Sequence, residues 1–285
     1  VSFSGASRVW AVVVTFERPR VLDLGLEALT GQSRPPERIL VVDNGSGAPT
    51  RNLLTRWSHR SDRLSVLRLD DNLGPAGGFA EGIRTAVEGG ADRVWLLDDD
   101  ARADPRCLEY LLAFSTKEGA HLVFPAVFDT AGKPADFPGW SGVLISADAV
   151  REAGLPNRDL FWWIEDTEYL QWRLPRVHGI TSHRCPEARV EHGGGPRRSP
   201  RPGWMLYYEV RNTLWYRFHV QDTSWRRRGS RAFYVVSATL LRTLLAEDRK
   251  LHKLGLIVRG AVDGLRGRLG RTVVPPAPPA PGSRV

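Results

Sequence analysis

Hydrophobic and polar positions change rhythm along this chain. Val9 to Thr15 is nearly all Val, Ala and Trp, the mark of a strand buried on both faces. Pro19 to Leu29 shifts to a helical period, with Pro near its start. Arg38 to Asp43 predicts a second strand, closed by Asn44-Gly45-Ser46-Gly47, and Thr50 to Trp57 a short helix. Leu64 to Leu69 reads as a third strand, Asn72 to Gly78 as a glycine-rich turn, and Phe79 to Glu88 as a helix. Arg93 to Leu97 is the fourth strand. Strands alternating with helices predict a doubly wound, mostly parallel α/β sheet with ligands at the carboxyl ends of its strands.

After a helix expected over Pro105 to Phe114, the alternation loosens. His121 to Phe128 and Trp140 to Ile145 read as strands, Asp166 to Arg173 as a short helix and Arg189 to His192 as a strand end. Gly193 to Pro202 is rich in Gly, Pro and Arg and reads as a mobile loop or linker. Three helices are expected over Trp204 to Phe218, Ser230 to Glu247 and Leu251 to Leu269, and a disordered Pro/Ala tail from Pro275. The expected organisation is a catalytic domain over residues 1–202, a helical extension over 203–270 and a tail over 271–285.

Composition narrows the classes. The 285 residues, 42% of them hydrophobic, suffice for one large domain with an appendage. A net charge of +8 and a pI near 10 favour anionic partners such as nucleotide phosphates, phospholipid headgroups or nucleic acid. Cys107 and Cys185 are too few for a disulfide or metal framework and point to a reducing cytoplasm. No secretory signal is read, Val1 to Ser7 being taken as a disordered lead-in, and no apolar run reaches the roughly 20 residues of a membrane span. A basic protein of this kind can still sit on the inner face of the plasma membrane.

The chemistry starts at Leu97-Asp98-Asp99-Asp100, where an apolar strand ends in three carboxylates. A strand interior cannot bury such charges unpaired, so the triplet belongs at an exposed strand end. In extended backbone Asp98 and Asp100 point to the same side, so two hard oxygen donors can meet one divalent cation. A solvated acidic turn or a helix cap leading into Asp104-Pro105 fits the same residues. Thr15 and Asp43 end two further strands, and an acid after the second strand suits a ribose or base edge, or an Asx turn. The Asn72 to Gly78 turn offers backbone N–H groups to a phosphate, but it lacks the Lys-Ser/Thr ending of a triphosphatase loop and the dinucleotide spacing. Phe161-Trp162-Trp163 precedes Glu165-Asp166: a platform for a sugar ring beside a carboxylate able to act as general base, or core aromatics before helix-capping acids. His192 beside Gly193 would join two carboxylates on Mn²⁺ at least as well as on Mg²⁺, while a surface or hydrogen-bonded histidine, the commoner case for a lone His, fits the same position.

In their order and spacing these elements resemble the inverting family 2 glycosyltransferases, which have the GT-A fold. The matching strings are Val12 to Phe16, Val41 to Ser46, Asn72 to Phe79, Leu97 to Asp100, Trp140 to Gly142, Trp163 to Tyr169 and Glu191-His192, covering roughly residues 9–195. The resemblance implies that Thr15, Asp43, Asn44, Asn72, Gly77, Gly78 and Asp99 hold the nucleotide. It implies Asp98, Asp100 and His192 as ligands of Mn²⁺ or Mg²⁺, and Asp166, paired with Glu165, as the catalytic base. Trp140, Trp162 and Trp163 would shape the sugar or acceptor pocket. The donor would be a UDP- or dTDP-linked sugar and the acceptor a hydroxyl, such as one on a lipid-linked glycan, with peripheral membrane contact and no nucleic-acid partner. The Gly-Gly-Phe and Trp-Ile-Glu-Asp-Thr-Glu-Tyr strings look most like bacterial galactofuranosyl- and rhamnosyltransferases. Two other readings use some of the same residues. A nucleotidyltransferase needs the metal carboxylates but not the aromatic-flanked Glu-Asp pair. A non-catalytic basic protein binding RNA or a membrane surface needs neither.

Overall fold

Val-, Leu- and Ile-rich runs build the centre of the sheet. In the computed structural model, which describes residues 7–193, 200–222 and 224–275, the first strands are β1 (Val9–Thr15), β2 (Arg38–Asp43), β3 (Leu64–Arg68) and β4 (Arg93–Asp98). They run parallel in the order β3-β2-β1-β4. Helices α1 (Pro19–Thr30), α2 (Ala48–Arg60) and α3 (Gly74–Glu88) make the crossovers. Alternate β1 residues face opposite layers. Val9, Ala11 and Val13 pack with Leu22, Leu26 and Trp57, while Trp10 and Val12 pack with Phe79 and Ile83.

The second half of the sheet is mixed rather than parallel. It adds β5 (Ala101–Ala103), β6 (Leu122–Phe128), β7 (Val143–Ser146) and β8 (Ser182–His192), extending the order to β4-β7-β6-β8-β5. β7 is antiparallel to both β4 and β6, β6 pairs parallel with β8, and β5 pairs antiparallel with β8. Helices α4 (Cys107–Glu118) and α5 (Ala147–Ala153) flank it. Cys107 and Cys185 are buried free thiols.

Several boundaries differ from the sequence expectation. Gly74 to Gly78 is not a loop but the first turn of α3, opened by Gly74 at φ +69° and Pro75. A Cβ on Gly78 would lie 2.5 Å from Val14 Cγ1 and one on Gly82 2.4 Å from Val12 Cγ1. These glycines let the helix sit directly on β1. Trp140 to Gly142 is not strand, because Gly139 and Gly142 hold φ +57° and +93° and fold it into a tight loop. Past Asp166 the chain winds as a π-helix, Thr167–Val177. Pro175 inside it has no N–H to donate, and the wider winding closes with His178 N donating to Arg173 O.

Contacts divide the chain into one unit of Val1–Arg158 with Glu165–Pro196 and another of Asp159–Ile164 with Arg197–Val285. The aromatic segment before Glu165 therefore groups with the C-terminal helices and not with the sheet. In the second unit α6 (Gly203–Trp215) continues into a π turn, Tyr216–Val220, and is followed by α7 (Trp225–Ala246) and α8 (Lys250–Leu265). Leu206, Val210, Leu214, Ala232 and Ile257 form its core. Gly260 and Gly264 let α8 press on the α6 backbone at Tyr207 and Arg211. The expected lead-in, the centre of the Gly193 to Pro202 loop with Arg197 and Arg198, and nearly all of the Pro/Ala tail lie outside the described residues.

Candidate active site

Parallel register assembles the first part of the site. Thr15 on β1 stands beside Asp43 on β2, and Val14 beside Asp98 on β4, so the polar ends of three strands share one edge. Immediately after Asp100 the chain forms β5, which sets Ala101 opposite His192 on β8. Gly193 N then donates to Asp100 O at 3.1 Å. Two stretches more than ninety residues apart thereby meet: His192 Nε2 lies 3.0 Å from Asp100 Oδ1 and 3.6 Å from Asp98 Oδ2.

The three adjacent acids have different partners. Asp99 is turned inward and buried, accepting from Thr15 Oγ1 at 2.8 Å and from Arg18 Nη1 at 2.6 Å. Burial pushes it up to about 7, against the pull of Arg18 and Thr15. Withdrawal from water also raises Asp98, to about 6, partly offset by His192. For Asp100 burial again opposes ionisation, but His192 and Arg18 outweigh it and hold the carboxyl below its usual range. Burial opposes charge on His192 too, and Asp100 and Asp98 outweigh it and raise the imidazole. Arg18, at the start of α1, bridges Asp99 and Asp100.

Two carboxylate oxygens and one imidazole nitrogen are a donor set that suits Mn²⁺, with Mg²⁺ less at ease with the nitrogen. Asp98, Asp100 and His192 thus fit a divalent cation in donor chemistry. Among the described residues, no three His, Cys, Asp or Glu side chains form a preassembled cage. These three are instead drawn together as ion pairs.

The loop between β6 and β7 joins this cluster to the Glu-Asp pair. Gly142 N donates to Leu96 O at 2.8 Å, which fastens the loop to β4. Ser141 Oγ donates to Asp98 Oδ2 at 3.1 Å. Two residues earlier Gly139 makes room for Asp166, since a Cβ there would stand 2.8 Å from Asp166 Oδ2. Asp166 caps the π-helix through Oδ1, which accepts from the Thr167 backbone N and from Thr167 Oγ1 at 3.1 Å. Oδ2 is left facing the glycine. Burial raises Asp166, and burial together with the Asp166 charge raises Glu165 well above its usual range. The Trp140 indole acts on Glu165 from close by, yet neither Trp140 Nε1 nor Glu165 Oε2 completes a hydrogen bond, although both are buried.

At the end of β2, Asp43 is buried and fully engaged. Its Oδ1 accepts from Ser46 N at 2.9 Å, and its Oδ2 pairs with Arg68. Asn44 is a clamp on α3, donating to Gly74 O at 2.9 Å and accepting from Leu73 N at 2.8 Å. Asn72 Oδ1 accepts from Gly74 N at 2.8 Å and starts the same helix. Gly77 and Gly78 are buried in that helix, where Leu73 and Val14 fill the space beside them. The sequence reading gave Asp43 and Asn44 at a strand end, and Asn72, Gly77 and Gly78 in a turn, to the nucleotide; these hydrogen bonds and close contacts are made within the protein.

The aromatic expectation also changes. Trp140 is a core residue, 3% exposed and stacked on Phe79 at 4.5 Å, so its ring is not a pocket wall. Trp162 and Trp163 belong to the second unit. They stack on each other at 5.3 Å, and Trp162 meets Trp204 edge-on at 5.4 Å. Asn212 on α6 donates to the carbonyls of Leu160, Trp162 and Trp163, and the fully buried Arg211 to those of Asp159, Leu160 and Gly270.

Sequence reading missed Arg18, Arg68, Ser141, Arg211 and Asn212. Two of these were within reach. Arg68 ends β3 directly opposite Asp43, and Arg18 lies three residues beyond Thr15 in the first strand-to-helix turn. A cleft of about 440 Å³ lined by Asp136, Phe137, Leu170, Gln171 and Arg184 includes none of Asp98, Asp99, Asp100, Glu165 and Asp166.

Known proteins share the family and the fold. The model of Glycosyl transferase family 2 matches residues 10–161, which include the Asp98 to Asp100 corner and stop short of Glu165, Asp166 and His192. The galactofuranosyltransferase GlfT1 of Mycolicibacterium smegmatis is 31% identical over 92% of this chain and 96% of its own length. The dTDP-rhamnosyl transferase RfbF of Shigella flexneri is 23% identical over 93% of this chain and 97% of its own. Among solved structures, the mannosyltransferase PcManGT of Pyrobaculum calidifontis, in complex with GDP-Man and Mn²⁺, superposes with a TM-score of 0.62. It covers 93% of this chain and 89% of that one at 12% identity, a likeness of fold. That fold is the GT-A fold, here with a helical C-terminal part.

Proposed function

The chain belongs to glycosyl transferase family 2, and from that premise we propose that it moves a hexose from a nucleotide-diphosphate donor to a hydroxyl acceptor with inversion at the anomeric carbon. Galactofuranose and rhamnose lead the candidate sugars, because the relatives named above carry those two in their names. UDP or dTDP would be the carrier and a lipid-linked glycan the acceptor. The buried unpaired thiols Cys107 and Cys185 support a reducing cytoplasm as its compartment.

One observation carries the reading. A single short loop touches Asp98 through Ser141 and Asp166 through Gly139, which supports the acids at the strand edge and the acid at the π-helix start acting on one substrate. In this reading Asp166 Oδ2, free of the cap that occupies Oδ1, takes the proton of the acceptor hydroxyl. The acceptor oxygen attacks the anomeric carbon from the face opposite the diphosphate. The carbon–oxygen bond to the diphosphate breaks with oxocarbenium character, and the departing nucleotide keeps the electron pair. A divalent cation held by Asp98, Asp100 and His192 would supply positive charge to that leaving group. Arg18 keeps Asp99 and Asp100 oriented and adds a fixed positive charge beside them. Glu165, raised by burial and by the Asp166 charge, holds its proton more firmly than a free glutamate, and in the protonated form it can donate a hydrogen bond to a sugar hydroxyl.

A donor screen tests this. The purified chain is offered UDP-galactofuranose, dTDP-rhamnose and common UDP- and GDP-hexoses with Mn²⁺, and binding and slow donor hydrolysis are followed. Saturable, Mn²⁺-dependent binding of one donor, with an inverted product once an acceptor is supplied, is the expected outcome. Retention of configuration would refute the single displacement, and binding indifferent to Mn²⁺ would refute the cation assignment.

A further inference from the structure

Helix α7 has two faces of unlike character. Ala232, Thr239 and Thr243 are buried and turned toward the second unit's core. On the opposite side Phe233, Tyr234, Leu241, Leu244 and Leu245 are exposed, Phe233 at 75% and Leu245 at 74%. Their spacing of one, seven, three and one residues keeps them on a single arc of a 3.6-residue helix. Ordinary surfaces scatter such residues singly; a continuous apolar arc on a helix marks a surface that something covers.

Charge says what covers it. Residues 225–246 contain five arginines, Arg226, Arg227, Arg228, Arg231 and Arg242, and no Asp or Glu. Only Arg228 is ion-paired among the described residues, to Asp222. The acids just beyond the helix are spoken for: Glu247 by Arg201 and Lys253, and Asp248 by Lys253. Arg226 and Arg227 lie on the apolar arc at its N-terminal end, and Arg231 and Arg242 along its flank. A second copy of this chain laid on the arc would bring in five more guanidinium groups and no free carboxylate. A nucleic acid would meet the arginines but gain nothing from three leucines.

We infer that α7 is an interfacial helix by which the protein binds an anionic phospholipid surface. The leucines, Phe233 and Tyr234 enter the headgroup boundary, and the arginines meet lipid phosphates and acidic headgroups. No helix among the described residues is long and apolar enough to cross a membrane, so α7 lies along the surface. This binding stands apart from the transfer reaction and does not depend on it.

The test is sedimentation of the whole chain with vesicles of pure phosphatidylcholine and of equimolar phosphatidylcholine and phosphatidylglycerol. Binding to the anionic vesicles is expected, weakening as salt rises. Leu241→Ser with Leu245→Ser should weaken it about a hundredfold, at about tenfold for each buried leucine. Arg226→Gln with Arg227→Gln should cost about fivefold for each arginine. All four positions are surface ones, and an unchanged melting temperature with unchanged UDP binding would show that fold and donor site are intact. Three results overturn the inference. The wild-type chain leaves anionic vesicles unbound at low salt; it binds neutral vesicles equally well; or it forms a dimer that Leu241→Glu disperses while vesicles have no effect. Binding of RNA in place of vesicles, lost with the arginines and kept without the leucines, would also overturn it.

Discussion

Asn212 offers the sharpest test of what holds the strained segment that precedes Glu165. It is fully buried on α6, and its Nδ2 donates at 2.8, 2.7 and 3.0 Å to the carbonyls of Leu160, Trp162 and Trp163. The backbone it grips is strained: Phe161, Trp163 and Ile164 stand at φ +63°, +76° and +74°. A left-handed conformation in non-glycine residues costs about 1–3 kcal/mol each and persists only where the surroundings enforce it. The next residues in the chain are Glu165 and Asp166. Replacing Asn212 with Leu keeps the branched shape and removes the amide. Leu160 O retains Arg211 Nη2 at 3.0 Å, but the Trp162 carbonyl loses its donor and Arg211 Nε loses Asn212 Oδ1 as its acceptor. At about 1–3 kcal/mol for each unsatisfied buried group, the loss would be about 2–6 kcal/mol. Trp162 is only half-buried, so water reaches its carbonyl in part, and the lower end, about 2–3 kcal/mol, is the expected figure. Urea unfolding followed by tryptophan fluorescence measures it, since Trp162, Trp163 and Trp204 form one aromatic cluster. Single-turnover transfer should show a reduced rate with donor affinity little changed. A variant that keeps its stability within about 0.5 kcal/mol and transfers at full rate would refute the clamp.

Further outcomes are expected. Asp166→Asn should abolish transfer while nucleotide-sugar binding, read by calorimetry, survives; normal transfer by that variant would remove Asp166 as base. Asp98→Ala and Asp100→Ala should each remove Mn²⁺-dependent nucleotide binding, and a Mn²⁺ titration that matches wild type would remove the cation assignment. Asp166 acts only when ionised, and its folded-state pKa is raised by burial. Transfer should therefore rise with pH through an acid limb lying above the ordinary aspartate value of about 3.9, and a kcat/KM profile whose acid limb falls at or below that value would contradict this. Gly82→Val would force side-chain atoms onto Val12 and Val42, whose nearest atoms are 2.4 and 2.9 Å from a Cβ. It should cost about 1–3 kcal/mol or more by overpacking, readable as a lowered urea midpoint.

What the sequence disclosed, and what it hid, divides by the range of the forces involved. The four parallel strands were legible because each is a local run of β-branched and apolar residues, and their polar ends, Thr15, Asp43 and Asp98, were legible because charge cannot stay inside such a run. His192 could be suspected but not located. Its place depends on β5, a three-residue strand too short to carry a pattern, pairing with the end of β8. The packing role of the glycines in Asn72 to Phe79 was hidden for a related reason. Glycine serves a phosphate loop and a close helix–sheet contact equally well, and the approach of Gly78 to Val14 appears only in the fold. Trp162 and Trp163 were legible as a cluster but not as members of the second unit. Three left-handed residues among the four from Phe161 to Ile164 contradict local preference, and what holds them there is Asn212, some fifty residues away. Local rules fail just ahead of Glu165 and Asp166. That is where a strained backbone held by distant hydrogen bonds is expected if the segment's shape matters to the reaction. A sequence retaining the acids but losing Asn212 would then keep its chemistry on paper and lose it in the tube.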